Sequence, residues 1–131
     1  MSAADEASVL DFFSCWETNE VDRMMTFFTP DAEYIDVPLP HREPGTEAIR
    51  AHIAGTLDGL TLKIETLHIG STADGVILTE RIDYIGVKGS DAPDVALPVM
   101  GVMEMQGGRI AVWRDYFDVG FLEAGLGISL R

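Results

Sequence analysis

Two segments of this chain put charged residues where a strand's alternation calls for apolar ones. In Leu78-Thr79-Glu80-Arg81-Ile82-Asp83-Tyr84-Ile85, the side chains of Thr79, Arg81, Asp83 and Ile85 share one face, because successive strand residues point to opposite sides. In Ala111-Val112-Trp113-Arg114-Asp115-Tyr116-Phe117, Asp115 shares its face with Ala111, Trp113 and Phe117. Tyr34 and Asp36, two apart, share a face in the same way. A carboxylate on an apolar face is costly without a partner, and one pocket would let all these polar groups satisfy one another. The chemistry available to such a group is acid–base. Two close carboxylates in apolar surroundings cannot both ionise cheaply, so one keeps a proton to donate while the other accepts. Each segment alone also fits a plainer role: Arg81 and Asp83 a structural ion pair, Asp115 the wet face of a one-sided sheet, Tyr34 a core aromatic.

The elements that must position these residues follow from periodicity. Val9, Phe12, Phe13 and Trp16 recur at helical spacing and predict a helix over Ala7–Thr18. Asn19 is placed to cap a second helix, with Val21, Met24, Met25 and Phe28 facing inward and Pro30 ending it. Ala32–Val37 reads as a strand closed by Pro38 and Pro40, Leu39–Pro44 as a loop. A third helix runs through Ile49, His52, Ile53 and Leu57 until Gly59. From there the period falls to 2, with strands at Leu60–Ile69, Val76–Val87, Val95–Gln106 and Arg109–Phe117. Asp74-Gly75 and Gly107-Gly108 tolerate positive φ and make hairpin turns. Val119–Leu126 fits either a short helix or a terminal arm. The order implies an α+β domain over residues 1–131, its helices covering one face of a curved, mostly antiparallel sheet. Such a cone encloses a deep apolar pocket. By strand phase Ile85 and Phe117 border the acids, while Trp16 and Phe13 close the cone from the first helix. Apolar residues around Val99–Met103 on the outer face suggest a homodimer.

Composition narrows the partners. The chain has 131 residues with 22 acidic and 9 basic side chains, a formal charge of −13, which repels nucleic acid and anionic membranes. A hydrophobic share of 47% suits a folded domain rather than a disordered chain. Cys15 is the sole cysteine, which excludes an intrachain disulfide. His41, His52 and His68 fall at no metal-ligand spacing, so no metal site is expected. The sequence has neither a Gly-rich phosphate loop nor a nucleophile elbow, and no cofactor is expected. Met-Ser-Ala-Ala-Asp-Glu lacks the basic n-region of a signal peptide, and the expected location is the cytoplasm.

Tyr34-Ile35-Asp36, Glu80-Arg81-Ile82-Asp83, Leu97-Pro98-Val99-Met100-Gly101-Val102 and Gly108-Arg109-Ile110-Ala111-Val112-Trp113-Arg114-Asp115-Tyr116-Phe117-Asp118 together resemble the limonene-1,2-epoxide hydrolase family. That family belongs to the broader group of SnoaL-like, NTF2-like (nuclear-transport-factor-2-like) cones. The resemblance spans the first helix to Asp118, and its most specific part is Arg-x-Asp combined with Trp-Arg-Asp-Tyr-Phe-Asp. It implies an Asp83–Arg81–Asp115 triad with Tyr34 beside a nucleophilic water. Asp115 would take the water's proton, Asp83 would donate to the epoxide oxygen, and Arg81 would orient both. The implied substrate is a small apolar epoxide, hydrolysed without cofactor or metal. One departure stands out: the family's asparagine two residues after the tyrosine is Asp36 here. A carboxylate still accepts a hydrogen bond from water, but three acids around one arginine leave an excess of negative charge, so one or two are expected to hold protons near neutrality.

Two other functions fit the same cone. A proton-transfer enzyme of the ketosteroid-isomerase or polyketide-cyclase kind would use Tyr34, Asp36 and a protonated Asp83 around an enolate. A non-catalytic module would keep the pocket for ligand binding alone.

Overall fold

The structure, a computed structural model, describes residues 2–131. Helix α1 (Ser2–Glu17) buries Val9, Phe12, Phe13, Cys15 and Trp16, the face its spacing requires. Asn19 does not cap the next helix. It takes a left-handed φ of 58° and ends α1, with the Glu20 N–H donating to the Cys15 carbonyl, a conformation asparagine tolerates better than most residues. Helix α2 (Val21–Met25) then occupies little more than one turn.

Phe28 and Pro30 belong to strand β1 (Phe28–Asp36) rather than to α2. The proline is tolerated because β1 is an edge strand, in the order β1-β5-β4-β3-β2. Helix α3 (Thr46–Gly59) buries Ile49, Ile53 and Leu57. Strands β2 (Leu60–Ser71), β3 (Ile77–Val87), β4 (Val95–Gln106) and β5 (Arg109–Tyr116) then form an antiparallel run, and β1 joins β5 in parallel. This is the expected α+β cone, helices against a curved five-stranded sheet.

Alternation holds along β3, where Ile77, Thr79, Arg81, Asp83 and Ile85 are all buried. On β5 a bulge alters it. The pairing with β4 slips between Glu104 and Met105, with Ala111 as the extra residue. Ile110 therefore shares the inner face with Trp113 in place of the expected Ala111, and both are 1% exposed. The segment Val99–Met103, expected to face outward, divides by the same period of two. Val99 and Met103 point into the core, while Met100 is 53% exposed and lies outward beside Tyr116 and Val102.

The C-terminal segment is a helix, α4 (Val119–Leu126). Asp118 caps it by accepting from the Phe121 N–H at 3.0 Å, and Gly127 ends it in the left-handed conformation. Leu122 packs with Ile85, Val95, Leu97 and Val99, which makes α4 a wall of the cone. No helix among the described residues is long and apolar enough to cross a membrane. A Cβ at Gly125 would lie 2.6 Å from a methyl of Val95. Gly125→Ala is therefore expected to push α4 off β4 and lower unfolding free energy by about 1–3 kcal/mol, measured by denaturant titration.

Candidate active site

The inner face of the sheet, closed by α3 and α4, encloses a cavity of about 150 Å³. A cavity of that size holds a small-ring molecule. Its walls are leucines, isoleucines and aromatics, among them Trp16, Ile85, Leu97, Phe117 and Leu122. The polar residues in it are Tyr34, Asp36, His52, Thr56, Arg81, Asp83 and Asp115. All five residues expected to carry chemistry thus meet in one place.

Arg81 on β3 is 1% exposed and grips both expected partners. Its Nε and Nη2 donate to Asp83 Oδ1 and Oδ2 at 3.1 and 2.8 Å. Its Nη1 and Nη2 donate to Asp115 Oδ1 and Oδ2 at 2.8 and 2.9 Å. Asp83 is close in sequence, but Asp115 lies on β5, with β4 in between. The guanidinium crosses β4 over Gly101, where a Cβ would sit 2.7 Å from Arg81 Nη1 and 2.8 Å from Asp115 Oδ1. Only a residue without a side chain leaves that path open. Trp113 Nε1 adds a third N–H donor to Asp115, bonding its Oδ1 at 2.7 Å.

Phe13 lies behind this network. Its ring centroid is 4.8 Å from the Arg81 guanidinium carbon, so it backs the cation from the core and does not line the cavity, contrary to the sequence expectation. Its helical position is one step round from Trp16, which does line it. Tyr34 stacks on Trp113 with ring centroids 4.1 Å apart and planes within 5°. Burial, followed by the charges of Asp36 and Asp115, pushes the Tyr34 phenol well up, so it stays protonated.

The charge balance differs from the expected three acids around one arginine. A second arginine, Arg42, donates from Nη2 to Asp36 Oδ2 at 2.7 Å. Composition could not single it out, but a buried acid at Asp36 followed by an arginine in a proline-bounded loop is a usable signal. His52 was also missed. It follows Ile49 by three residues on α3 and is half-buried on the cavity side. Burial pushes Asp36 up, against the hydrogen bond from Arg42. Burial likewise pushes Asp83 up, opposed by Arg81 and assisted by Asp115. Burial works against the Arg81 charge, but Asp115 and Asp83 outweigh it, and Arg81 stays a cation. Among the described residues no cluster of histidine, cysteine or acidic side chains is arranged to hold a metal ion.

A curved sheet, a helix-closed apolar cavity and buried acids at its wall define an NTF2-like α+β cone. The chain belongs to the SnoaL-like domain family, which matches residues 9–113. It is similar to an LEH-like epoxide hydrolase of M. tuberculosis, 25% identical, with a TM-score of 0.82 over 95% of this chain and 90% of that one. A protein of ketosteroid isomerase-like fold from Catenulispora acidiphila is 19% identical, with a TM-score of 0.81 over 94% of each chain. The epoxide hydrolase/cyclase-like enzyme SalBIII, of pyran ring formation in polyether salinomycin, is 18% identical, with a TM-score of 0.78 over 88% of this chain and 92% of that one. The last two show a shared fold.

Burial and then the Arg42 charge lower the His52 pKa to about 4, so the folded state resists a proton that the unfolded chain takes at about 6.5. Stability is therefore complete above the unfolded value and falls as the pH drops toward about 4. His52→Gln is expected to flatten this part of the curve of melting temperature against pH. A Cβ at position 101 meets both members of the Arg81–Asp115 bridge. Gly101→Ala is expected to cost about 1–3 kcal/mol, read by chemical denaturation.

Proposed function

We propose that this chain is an epoxide hydrolase that adds water in one step to a small, neutral, apolar epoxide. The observation that carries the reading is one buried guanidinium bonded to two carboxylates at the wall of an apolar cavity. The similarity to an epoxide hydrolase at 25% identity supports it.

The two carboxyls have different environments, and these assign their roles. Asp115 receives two N–H groups of Arg81 and the indole N–H of Trp113, a set of donors suited to a carboxylate. Asp83 receives Arg81 alone and is pushed up by burial, so of the two acids sharing Arg81 it is the one placed to hold the proton that is donated. Water beside Asp115 gives it one proton as the oxygen attacks an epoxide carbon. The carbon–oxygen bond of the ring breaks, and the departing oxygen takes the proton of Asp83. The product is a diol, with Asp115 protonated and Asp83 ionised. One proton has moved between two acids that share Arg81, so the cation faces one negative charge before and after. Solvent exchange through the open cavity restores the starting state.

The proton-transfer alternative needs Asp83 or Tyr34 to hold an enolate. A protonated Asp83 would serve both readings, and the similarity to an epoxide hydrolase favours ring opening. Asp83→Asn and Asp115→Asn are each expected to reduce kcat/KM for diol formation by about 10²–10⁴-fold. Single turnover in heavy-oxygen water should place the label in the diol and none in the protein. Label in an aspartate would sink the one-step mechanism. Exchange of protons from an activated ketone, with no diol from any epoxide tried, would assign the proton-transfer reading instead.

A further inference from the structure

One cation held against the cavity-lining residues Tyr34, Asp36 and His52 takes no part in the triad. Arg42 stands in the loop between β1 and α3, its side chain 15% exposed. Its Nη2 donates to Asp36 Oδ2 at 2.7 Å, and its Nη1 donates to the backbone carbonyl of Tyr34. The guanidinium carbon lies 4.5 Å from the centroid of the Tyr34 ring. Its Nη2 is also 3.2 Å from His52 Nε2. An arginine has only hydrogens to offer, so that contact requires the lone pair of His52 on Nε2 and its hydrogen on Nδ1. Arg42 is therefore fixed by four groups at once: a carboxylate, a carbonyl, a ring face and an imidazole nitrogen.

Asp36 has reason to need it. In the parallel register of β1 and β5, Asp36 stands opposite Asp115, and two carboxylates side by side on neighbouring strands repel. The groups facing Asp36 are Tyr34 on its own strand, Arg42 in the loop, His52 on α3, Asp115 on β5 and Arg81 on β3. Tyr34 and His52 are neutral near neutral pH. Arg81 spends its hydrogen bonds on Asp83 and Asp115. Among the described residues, Arg42 is the cation that hydrogen-bonds Asp36. It does so through Oδ2, and Oδ1 takes no donor from the described residues although Asp36 lines the cavity.

We propose that Arg42 is a positioning residue that keeps Asp36 a carboxylate and turns its free oxygen toward the cavity to hold the attacking water. The part concerning water rests on the epoxide-hydrolase reading. Water has two hydrogens: Asp115 takes the one that is transferred, and Asp36 accepts a hydrogen bond from the other, which stays on the oxygen. Atoms and charge balance as in the one-step reaction. The pair Asp36–Arg42 thus does as a charge-matched unit what a neutral amide acceptor would do alone. That accounts for a third acid being tolerated within reach of Asp115.

The test follows the carboxyl of Asp36 by NMR in the full chain labelled with ¹³C-carboxyl aspartate, its signal assigned by its loss in Asp36→Asn, together with pH–rate profiles on epoxides. Arg42→Gln is expected to move the Asp36 midpoint up by about one pH unit or more. The acid limb of kcat/KM should move with it, with a loss of about tenfold on the acid side and a smaller loss on the alkaline side. Arg42→Lys, which keeps the cation, should hold the midpoint near that of the parent, and it decides the matter if Arg42→Gln does not fold. The neutral pair Asp36→Asn/Arg42→Gln should recover activity relative to Arg42→Gln. An Asp36 midpoint unmoved by Arg42→Gln, or raised as far by Arg42→Lys as by Arg42→Gln, overturns the proposal. A midpoint that moves as expected in a protein that opens no epoxide keeps the control of Asp36 by Arg42 and overturns the hydrolase reading alone.

Discussion

A guanidinium buried to 1% exposure is the constraint around which the inner face of this sheet is arranged. Removing such a charge from water costs several kcal/mol unless its hydrogens are satisfied and opposite charge lies against it. Arg81 meets that condition with four N–H bonds to two carboxylates and with aromatic rings at its back. The condition reaches other parts of the chain. Gly101 must lack a side chain so that the bond to Asp115 can cross β4. Trp113 must face inward so that its indole N–H completes the shell of Asp115. The bulge at Ala111 leaves Trp113 and Ile110 on the same side, which packs the indole against α1.

The same constraint organises the second pair. Trp113 stacks on Tyr34, and Tyr34 gives its carbonyl and ring face to Arg42, which holds Asp36. One continuous set of contacts therefore runs from Asp83 to His52 along a single wall of the cavity. Almost all of the rest of the lining is apolar, much of it from β2, β4 and α4. The cavity therefore sets a cluster of buried charge in apolar surface. A charged group placed against the apolar part would lose its solvation without compensation. With two arginines and three acids, the cluster is neutral when one acid is protonated.

Strand phase made much of this legible. Arg81, Asp83 and Ile85 share a face in the sequence and in the fold, as do Tyr34 and Asp36, because alternation in an unbroken strand is fixed by backbone geometry. Alternation failed where a bulge intervened, at Ala111 and Ile110, since the extra residue comes from pairing with β4 rather than from β5 itself. The start of β1 was misread for a related reason. Phe28 and Pro30 look like the end of a helix until the edge position of β1 is known. Phe13 and Trp16 lie on one helix face, and which of them reaches the cavity depends on where Arg81 inserts.

The sequence by itself determined the order of the first eight elements, the inward faces of β1 and β3, and the acids and arginine that one pocket would have to gather. Local periodicity and the cost of burying charge are enough for that. The tertiary structure decided which partners each acid obtains. Arg42 and His52 come from a loop and a helix that no strand phase relates to Asp36, and Asp115 reaches Arg81 only across a glycine on an intervening strand. Of 22 acids against 9 bases, the protonation of these few follows from distance and burial, which arise only when the sheet closes.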